Sequence, residues 1–177
     1  MPAQRTYVVT DAPNDTDVLR FSVKGDLEQR RSVYFTDQSP IFIVTVENLT
    51  DKPVDGDNWV RLIFDESDSK HESSEQINCT LEPDKTAAFA FKQDMLSYQG
   101  NAAIGVHTMT ASKDGDHYST RRKRKHIERL YTFMVYDRDY YKLNYLRPRY
   151  AQYLAAFLTV LVVVVGVAQF LNSVGGF

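Results

Sequence analysis

The strongest constraint on this 177-residue sequence lies at its C-terminus, because residues 150–177 carry no charged side chain. All 21 basic and 23 acidic residues lie at or before Arg149. Residues 151–171 are apolar, and a helix of that length rises about 31 Å, enough to cross the hydrocarbon core of a bilayer. A β-strand of that length would far exceed the usual range of about 3–10 residues. The sequence therefore predicts one transmembrane helix at 151–171 and a short tail at 172–177.

Charge on the two sides of this apolar run predicts its orientation. The basic residues of the N-terminal flank are Arg138, Lys142, Arg147 and Arg149, whereas residues 172–177 contain none. By the positive-inside rule, the N-terminal part lies in the cytoplasm and the protein is tail-anchored. The predicted membrane-interface residues, which combine aromatic rings with positive charge, are Tyr145, Arg147, Arg149 and Tyr150.

Two further observations bear on topology and point in opposite directions. The first residues of the chain contain no apolar stretch, so no secretory signal is expected. Three N-x-[ST] sequons, at Asn14, Asn48 and Asn78, would be glycosylated only on a luminal or extracellular face. A luminal or extracellular N-terminal domain is therefore the alternative topology.

Residues 1–137 have the pattern of a β-sandwich domain. Leu19, Phe21 and Val23 alternate with polar residues, as in a half-buried strand, and residues 41–46 are apolar on both faces, as in a central strand. Further predicted strands are 59–64, 76–81, 86–91, 101–111 and 129–136. Short strands separated by turn-forming residues favour an all-β sandwich. Residues 138–150 are predicted to form a juxtamembrane linker.

The alternation of apolar and polar residues also predicts the core. The inward-facing residues are Leu19, Phe21, Val23, Phe42, Val44, Val46, Val60, Leu62, Phe64, Phe89, Phe91, Ile104, Val106, Tyr131, Phe133 and Val135. Burying one large apolar side chain stabilises a fold by about 1.5–3 kcal/mol, so this set suffices for an independently folded domain.

Four segments, IFIVTVENLTDKPVDG, WVRLIF, LEPDKTAAFAF and YQGNAAIGVHTMTA, follow one another from residue 41 onwards. In this order they resemble the immunoglobulin-like sandwiches of adhesion and cell-surface modules, and the resemblance covers residues 41–137. It implies an immunoglobulin-like antiparallel β-sandwich. Two departures separate the chain from antibody domains: Cys79 has no second cysteine to pair with, and alternation places Trp59 on the face of Arg61.

The order of sandwich, INCT sequon, short linker and C-terminal membrane helix is also similar to the alpha subunits of the translocon-associated complex. That resemblance implies a luminal domain and a basic cytoplasmic tail. Residues 172–177 are uncharged and so depart from it.

The sequence predicts no enzyme activity, no catalytic or metal-binding residue and no cofactor. It contains neither a Gly-rich phosphate loop nor a Gly-x-Ser-x-Gly nucleophile motif. The histidines, which show no ligand spacing, are His71, His107, His117 and His126. Cys79 is not followed by the His and Met of a blue-copper site, and the acidic run at 65–75 lacks the calcium-loop pattern. A metal-binding or redox domain is the alternative from this class.

The sharpest local feature is a run of basic residues: Arg121, Arg122, Lys123, Arg124 and Lys125. It is predicted to lie in the loop of a hairpin formed by strands 101–111 and 129–136. In an upright domain that loop would lie roughly 26 Å farther from the bilayer than residue 136, beyond the Debye length of about 8 Å. The run is therefore predicted to face away from the anchor, toward an acidic partner or an opposing surface, and a solvated loop is the alternative.

Together these features predict a non-catalytic single-pass membrane protein. Its sandwich would act as a scaffold, assembly or accessory subunit of a membrane-bound complex, with the lipid bilayer and other subunits as partners. The formal net charge of −2 gives no globally basic surface, so no nucleic-acid partner is expected. Alternative functions are a structural membrane-associated protein of a membrane-containing virus and a luminal accessory subunit of the translocon-associated type.

Overall fold

The computed structural model describes residues 5–25, 33–64, 72–92, 96 and 99–175. The chain divides into two compact units, with the boundary between Tyr136 and Asp137. The first unit is built from β-strands, and the second is a single long helix from Arg138 to Val174. The prediction of an all-β domain followed by one C-terminal helix is therefore confirmed.

Nine strands form the first unit in its described part. They are β1 (Tyr7–Asp11), β2 (Thr16–Gly25), β3 (Val33–Phe35), β4 (Ile41–Asn48), β5 (Val54–Phe64), β6 (Glu72–Leu81), β7 (Thr86–Lys92), β8 (Gly100–Asp114) and β9 (His117–Tyr136). The sequence did not predict β1 and β3. The reason is their length, since five and three residues are too few to show an alternation of two faces.

Backbone pairing joins the strands in the order β3-β9-β5-β8-β1-β2-β4-β7, with β6 attached to β5 and β8 also paired with β9. The β8–β9 hairpin occupies the centre of this arrangement. One part of β8 pairs with the end of β5, and Ala111 farther along pairs with Asp11 of β1. The hairpin thus connects two layers of strands, one containing β3, β5 and β6 and the other containing β1, β2, β4 and β7.

Most pairings are antiparallel, as the sequence predicts, but three short ones are parallel. These are β1 with β8, β3 with β9, and the first residues of β5 with the first residues of β9. Each spans at most three residue pairs. Parallel contacts of this kind depend on how distant segments meet, so alternation within a strand cannot reveal them.

Aromatic rings join the two layers in the core. Phe42 of β4 lies 5.6 Å from Tyr34 and 5.3 Å from Phe133 between ring centroids, although β4 pairs with neither β3 nor β9. These contacts therefore cross from one layer of strands to the other. Aromatic pairs at such distances stabilise a core by about 0.5–1.5 kcal/mol beyond the area that they bury.

The predicted core is largely correct. The predicted residues that are buried are Leu19, Phe21, Val23, Phe42, Val44, Val46, Phe91, Ile104, Val106, Tyr131, Phe133 and Val135. Phe89 is only half-buried, because it lies on strand β7 at the edge of the sheet. The side chains of Val60, Leu62 and Phe64 lie outside those that the structure describes, as does that of Trp59.

A buried asparagine holds together the ends of β4 and β6. Asn48 is 1% exposed, and its amide nitrogen lies 2.8 Å from the carbonyl oxygen of Lys52, 2.9 Å from that of Leu81 and 3.1 Å from that of Glu82. Its side-chain oxygen accepts hydrogen bonds from the backbone N–H and the hydroxyl of Thr50, both at 2.9 Å. The Asn48 sequon is therefore a structural motif in the folded domain. Asn14 and Asn78, in contrast, are exposed.

We predict that Asn48→Ala lowers the free energy of unfolding by about 2–4 kcal/mol, because several backbone groups around this buried side chain lose a hydrogen-bond partner. Asn78→Ala is the matched control, since it removes an exposed asparagine from another sequon and should change stability by less than about 0.5 kcal/mol. Denaturant unfolding of the full chain in mild detergent, followed by circular dichroism, measures both. Equal effects of the two substitutions would contradict this assignment.

Candidate functional site

The basic run lies within strand β9, and its predicted place in a hairpin loop is wrong. The turn between β8 and β9 is formed by Gly115 and Asp116, with Gly115 in the left-handed conformation at φ +58°. The strands continue to this turn through polar pairs such as Ser112 and Ser119, whose hydroxyl oxygens are 3.1 Å apart. The prediction was wrong because the alternation of apolar residues in β8 and β9 ends before their backbone pairing does.

The run coincides with a large bulge in the hairpin. His107 pairs with Ile127 and Met109 pairs with Arg122, so the single residue Thr108 lies opposite the four residues 123–126. A common bulge inserts one extra residue, increases the local twist and leaves that residue unpaired. Here the hydroxyl of Thr108 donates to the carbonyl oxygen of His126 at 3.2 Å, which ties the bulge to β8.

The described side chains of the basic run face solvent. Arg121, Arg122 and Lys123 are all exposed, whereas the side chains of Arg124 and Lys125 lie outside the described ones. At the end of the bulge, His126 Nε2 lies 3.2 Å from a carboxylate oxygen of Glu128. The structure therefore places three of the predicted partner-binding side chains on one accessible segment of β9.

Tyr7 on β1 holds β8 at the point where the bulge begins. Its hydroxyl accepts a hydrogen bond from the N–H of Met109 at 2.8 Å and donates one to the carbonyl oxygen of the same residue at 3.1 Å. Burial raises the pKa of Tyr7 above its ordinary value near 10, an effect that the Met109 hydrogen bond opposes and the negative charge of Glu128 reinforces. The hydroxyl is therefore neutral near pH 7 and serves both backbone groups.

Between β1 and the bulge lies a shallow groove of about 480 Å³. Its polar lining includes Tyr7, Thr10, Thr108, Lys123, His126 and Glu128. Hydroxyl groups together with a lysine ammonium suit an anionic or hydrogen-bonding surface better than an apolar one. Sequence reasoning missed Tyr7 and Thr108, since no local pattern marks a residue whose role is to support a distant bulge.

The segment predicted as a linker is helical. It consists of α1 (Arg138–Tyr141), a π-helical turn (Lys142–Leu146) and the start of α2 (Arg147–Val174). Asp137 caps α1, because its carboxylate accepts hydrogen bonds from the N–H groups of Asp139 and Tyr140, both at 2.9 Å. Pro148 lies in the first turn of α2, where the missing N–H of proline is tolerated.

From Ala151 onwards helix α2 is uncharged and mostly apolar on all sides, and none of its residues is buried. By length and composition it could cross a bilayer. The hydroxyl of Thr159 donates to the carbonyl oxygen of Ala155 at 2.9 Å, and that of Ser173 donates to Phe170 at 2.7 Å. Internal hydrogen bonds of this kind satisfy polar groups where no water is available.

Aromatic and basic side chains cluster before the apolar part of this helix. The predicted interface residues Tyr145, Arg147, Arg149 and Tyr150 are all exposed there. The rings of Tyr141 and Tyr145 stack with centroids 5.3 Å apart. The helix therefore presents the four predicted residues at one end of its uncharged stretch.

The remaining candidates for metal chemistry do not converge in the part of the chain that the structure describes. His107 is buried, His117 is half-buried and His126 is exposed, while His71 and residues 65–71 of the acidic run lie outside the described residues. Among the described residues, no three His, Cys, Asp or Glu side chains are grouped so that they could hold a metal ion. Cys79 is a half-buried residue of β6.

Comparisons with known proteins give neither a family nor a curated relative, since no family model and no curated protein matches this chain. Among solved structures, the C-terminal domain of Wzt is similar at a TM-score of 0.49 and 8% identity, over 77% of this chain and 83% of that domain. The CARDB domain of the PF1109 protein from Pyrococcus furiosus, solved with di-metal ions, is similar at a TM-score of 0.38 and 14% identity, over 67% of this chain and 94% of that one.

A β-glucosidase from Listeria innocua, in complex with laminaribiose, is also similar, with a TM-score of 0.39 and 13% identity. The match covers 69% of this chain but only 17% of the glucosidase.

We predict that Tyr7→Phe lowers the free energy of unfolding by about 1–2 kcal/mol, because the N–H and carbonyl of Met109 lose their shared partner. Tyr153→Phe is the control, since Tyr153 is 71% exposed on α2. Denaturant unfolding in detergent at neutral pH measures the difference. A loss no larger than that of Tyr153→Phe would show that the hydroxyl does not support the bulge.

The same substitution should alter the response to alkali. Because folding raises the pKa of Tyr7, its neutral hydroxyl contributes stability below about pH 10 that is lost as the pH rises through the folded-state pKa. The native chain should therefore lose more stability above about pH 10 than Tyr7→Phe does. Unfolding curves for both proteins at neutral and alkaline pH provide this comparison.

Proposed function

We propose that this protein is a non-catalytic, single-pass, tail-anchored membrane protein whose β-sandwich serves as a scaffold, assembly or accessory subunit of a membrane-bound complex. One observation carries the proposal: a helix of 37 residues follows the folded domain directly in sequence, its C-terminal part is uncharged and apolar all round, and none of the residues in the window that could cross a bilayer is buried. A helix of this kind needs lipid or other apolar helices around it.

The aromatic and basic end of the helix supports insertion with the β-domain on the cytoplasmic side. Arginine and lysine favour the cytoplasmic face, and tyrosine rings favour the boundary between lipid and water. Burial of Asn48 further weakens the alternative topology, because it leaves two exposed sequons, Asn14 and Asn78, to support a luminal or extracellular domain. The lipid bilayer is thus the first partner in this proposal.

The basic bulge supports the second partner, an acidic protein surface. Arg121, Arg122 and Lys123 are exposed beside a groove rich in hydroxyl groups. Exposed charges of one sign steer complementary partners and set the specificity of a complex more than its total affinity. The proposed role of the domain is therefore recognition of another subunit through charge.

Cysteine accessibility tests insertion and orientation together. In a Cys79→Ser background, Asp116→Cys places a thiol at the exposed β8–β9 turn, and Gly175→Cys places one just after α2. A membrane-impermeant maleimide should label Gly175→Cys on intact cells, and Asp116→Cys only after permeabilisation. The reverse pattern would establish a luminal or extracellular domain, and equal labelling of both before permeabilisation would exclude a membrane span.

Replacing all five residues of the basic run, 121–125, by serine tests the role of charge in partner binding. Exposed ion pairs contribute about 0.2–1 kcal/mol each, so the loss of five should reduce co-purification in mild detergent at least about fivefold. Added salt should reduce recovery with the native chain in the same way.

Lys85→Ser with Lys113→Ser is the control, because it removes exposed positive charge elsewhere on the domain. Circular dichroism should show that the strand content of every variant is unchanged. Native recovery of partner proteins with the five-serine variant would show that the run is merely a solvated segment of β9.

A further inference from the structure

Strand β7 is an edge of the sheet that lacks the usual protection against pairing with another chain. Among the described strands, its hydrogen-bonded neighbour is β4 alone. Natural proteins protect such edges with short strands, charged side chains, prolines or bulges. β7 has seven residues, TAAFAFK, with Lys92 at its end as the only charge, and no proline.

The other edges in the described sheet have such protection. Strand β3 has only three residues, and β6 carries the exposed carboxylate of Glu75. β7 instead pairs with β4 without a register shift from Thr86 to Lys92. An unbroken strand leaves its outward N–H and C=O groups in regular order for a further partner.

The faces of β7 also suit another strand. Thr86, Ala88 and Ala90 are exposed and small, so they offer no steric obstacle on the outer face. On the inner face, Phe89 is half-buried and lines an open groove together with Ile77 of β6. A strand added at this edge would cover backbone groups and part of the Phe89 ring at once.

We propose that β7 pairs antiparallel with β7 of a second copy of this chain, forming a sheet that is continuous across a two-fold axis. This inference goes beyond the proposed function, and its test in vesicles rests on the membrane anchor proposed there. A two-fold axis perpendicular to the sheet keeps each residue on the same face in both copies, so the register must be symmetric about one residue. The register that pairs all seven residues is centred on Phe89.

That register is self-complementary in size and charge. It sets Ala88 of one copy opposite Ala90 of the other, and Thr86 opposite Lys92. Position 92 of one copy then lies roughly 20 Å along the strands from position 92 of the other, well beyond the Debye length of about 8 Å. In this register β7 sets no charge against a like charge, so a second copy meets no repulsion along the edge.

Length limits the strength of this contact. Seven residues make a seam about 23 Å long and one strand wide. Stable interfaces bury about 1,200–2,000 Å² in total, so a seam of this size gives a weak dimer in dilute solution. Confinement of both copies to one small vesicle raises their effective concentration and makes the pairing measurable.

Disulfide cross-linking of the full chain in lipid vesicles tests both pairing and register. In the Cys79→Ser background, chains with Ala88→Cys and chains with Ala90→Cys carry different affinity tags and are reconstituted together. The proposed register puts these two positions opposite each other, within the roughly 4.4–6.8 Å between Cα atoms that a disulfide requires. After mild oxidation, the mixed dimer should exceed by at least about fivefold the dimer formed by Thr86→Cys alone.

Thr86→Cys is a strict control, because its thiol is also exposed on β7 but lies roughly 20 Å from its symmetry mate in this register. Introducing Phe89→Lys in both partners should abolish the excess of mixed dimer, since two ammonium groups would then face each other; circular dichroism checks that this variant folds. A mixed dimer at or below the level of Thr86→Cys, or an excess that survives Phe89→Lys in a folded protein, would overturn the proposal. The first result is also the one expected if a strand of a different protein occupies this edge.

Discussion

The arrangement of the other strands depends on the β8–β9 hairpin. Its backbone pairs with β1, β3 and β5, so most of the sheet is connected through it. Two register shifts divide it, one between Ile104 and Gly105 and the other between His107 and Met109. At the first shift, a Cβ on Gly105 would lie only 2.7 Å from the carbonyl oxygen of Glu128. The twist that such bulges introduce allows one hairpin to serve two layers of strands.

This dependence explains why five consecutive basic residues are tolerated in the middle of a strand. A regular ladder would set alternate residues of the run against the core, where unpaired charge is costly. Because residues 123–126 face only Thr108, part of the run is released from the inward and outward alternation. Tyr7 and Thr108 then satisfy backbone groups that the bulge disturbs. The bulge at residues 123–126 therefore accounts both for the accessible charge and for the way the hairpin serves two layers of strands.

The sequence predicted those features that depend on local patterns. Alternation in β2 and β4 identified the buried side chains from Leu19 to Val46, and the absence of charge identified the apolar helix. Alternation did not identify the ends of β8 and β9, because Ser112 and Ser119 extend the ladder with polar side chains. Nor did it predict the support of the bulge by Tyr7, which comes from a hydrogen bond between residues 102 positions apart.

A sequon can mark either a glycosylation site or a structural asparagine, and burial of the side chain distinguishes the two. Asn48 satisfies the glycosylation pattern, yet its side chain is buried and hydrogen-bonded to backbone groups of Lys52, Leu81 and Glu82.

The helix, the basic bulge and the β7 edge each depart from what a solitary soluble domain requires. Such a domain buries its apolar helices, keeps single-sign charge dispersed and protects its sheet edges. A bilayer, an acidic subunit and a second copy would each resolve one of these departures. Their presence in one chain favours a protein that acts within an assembly.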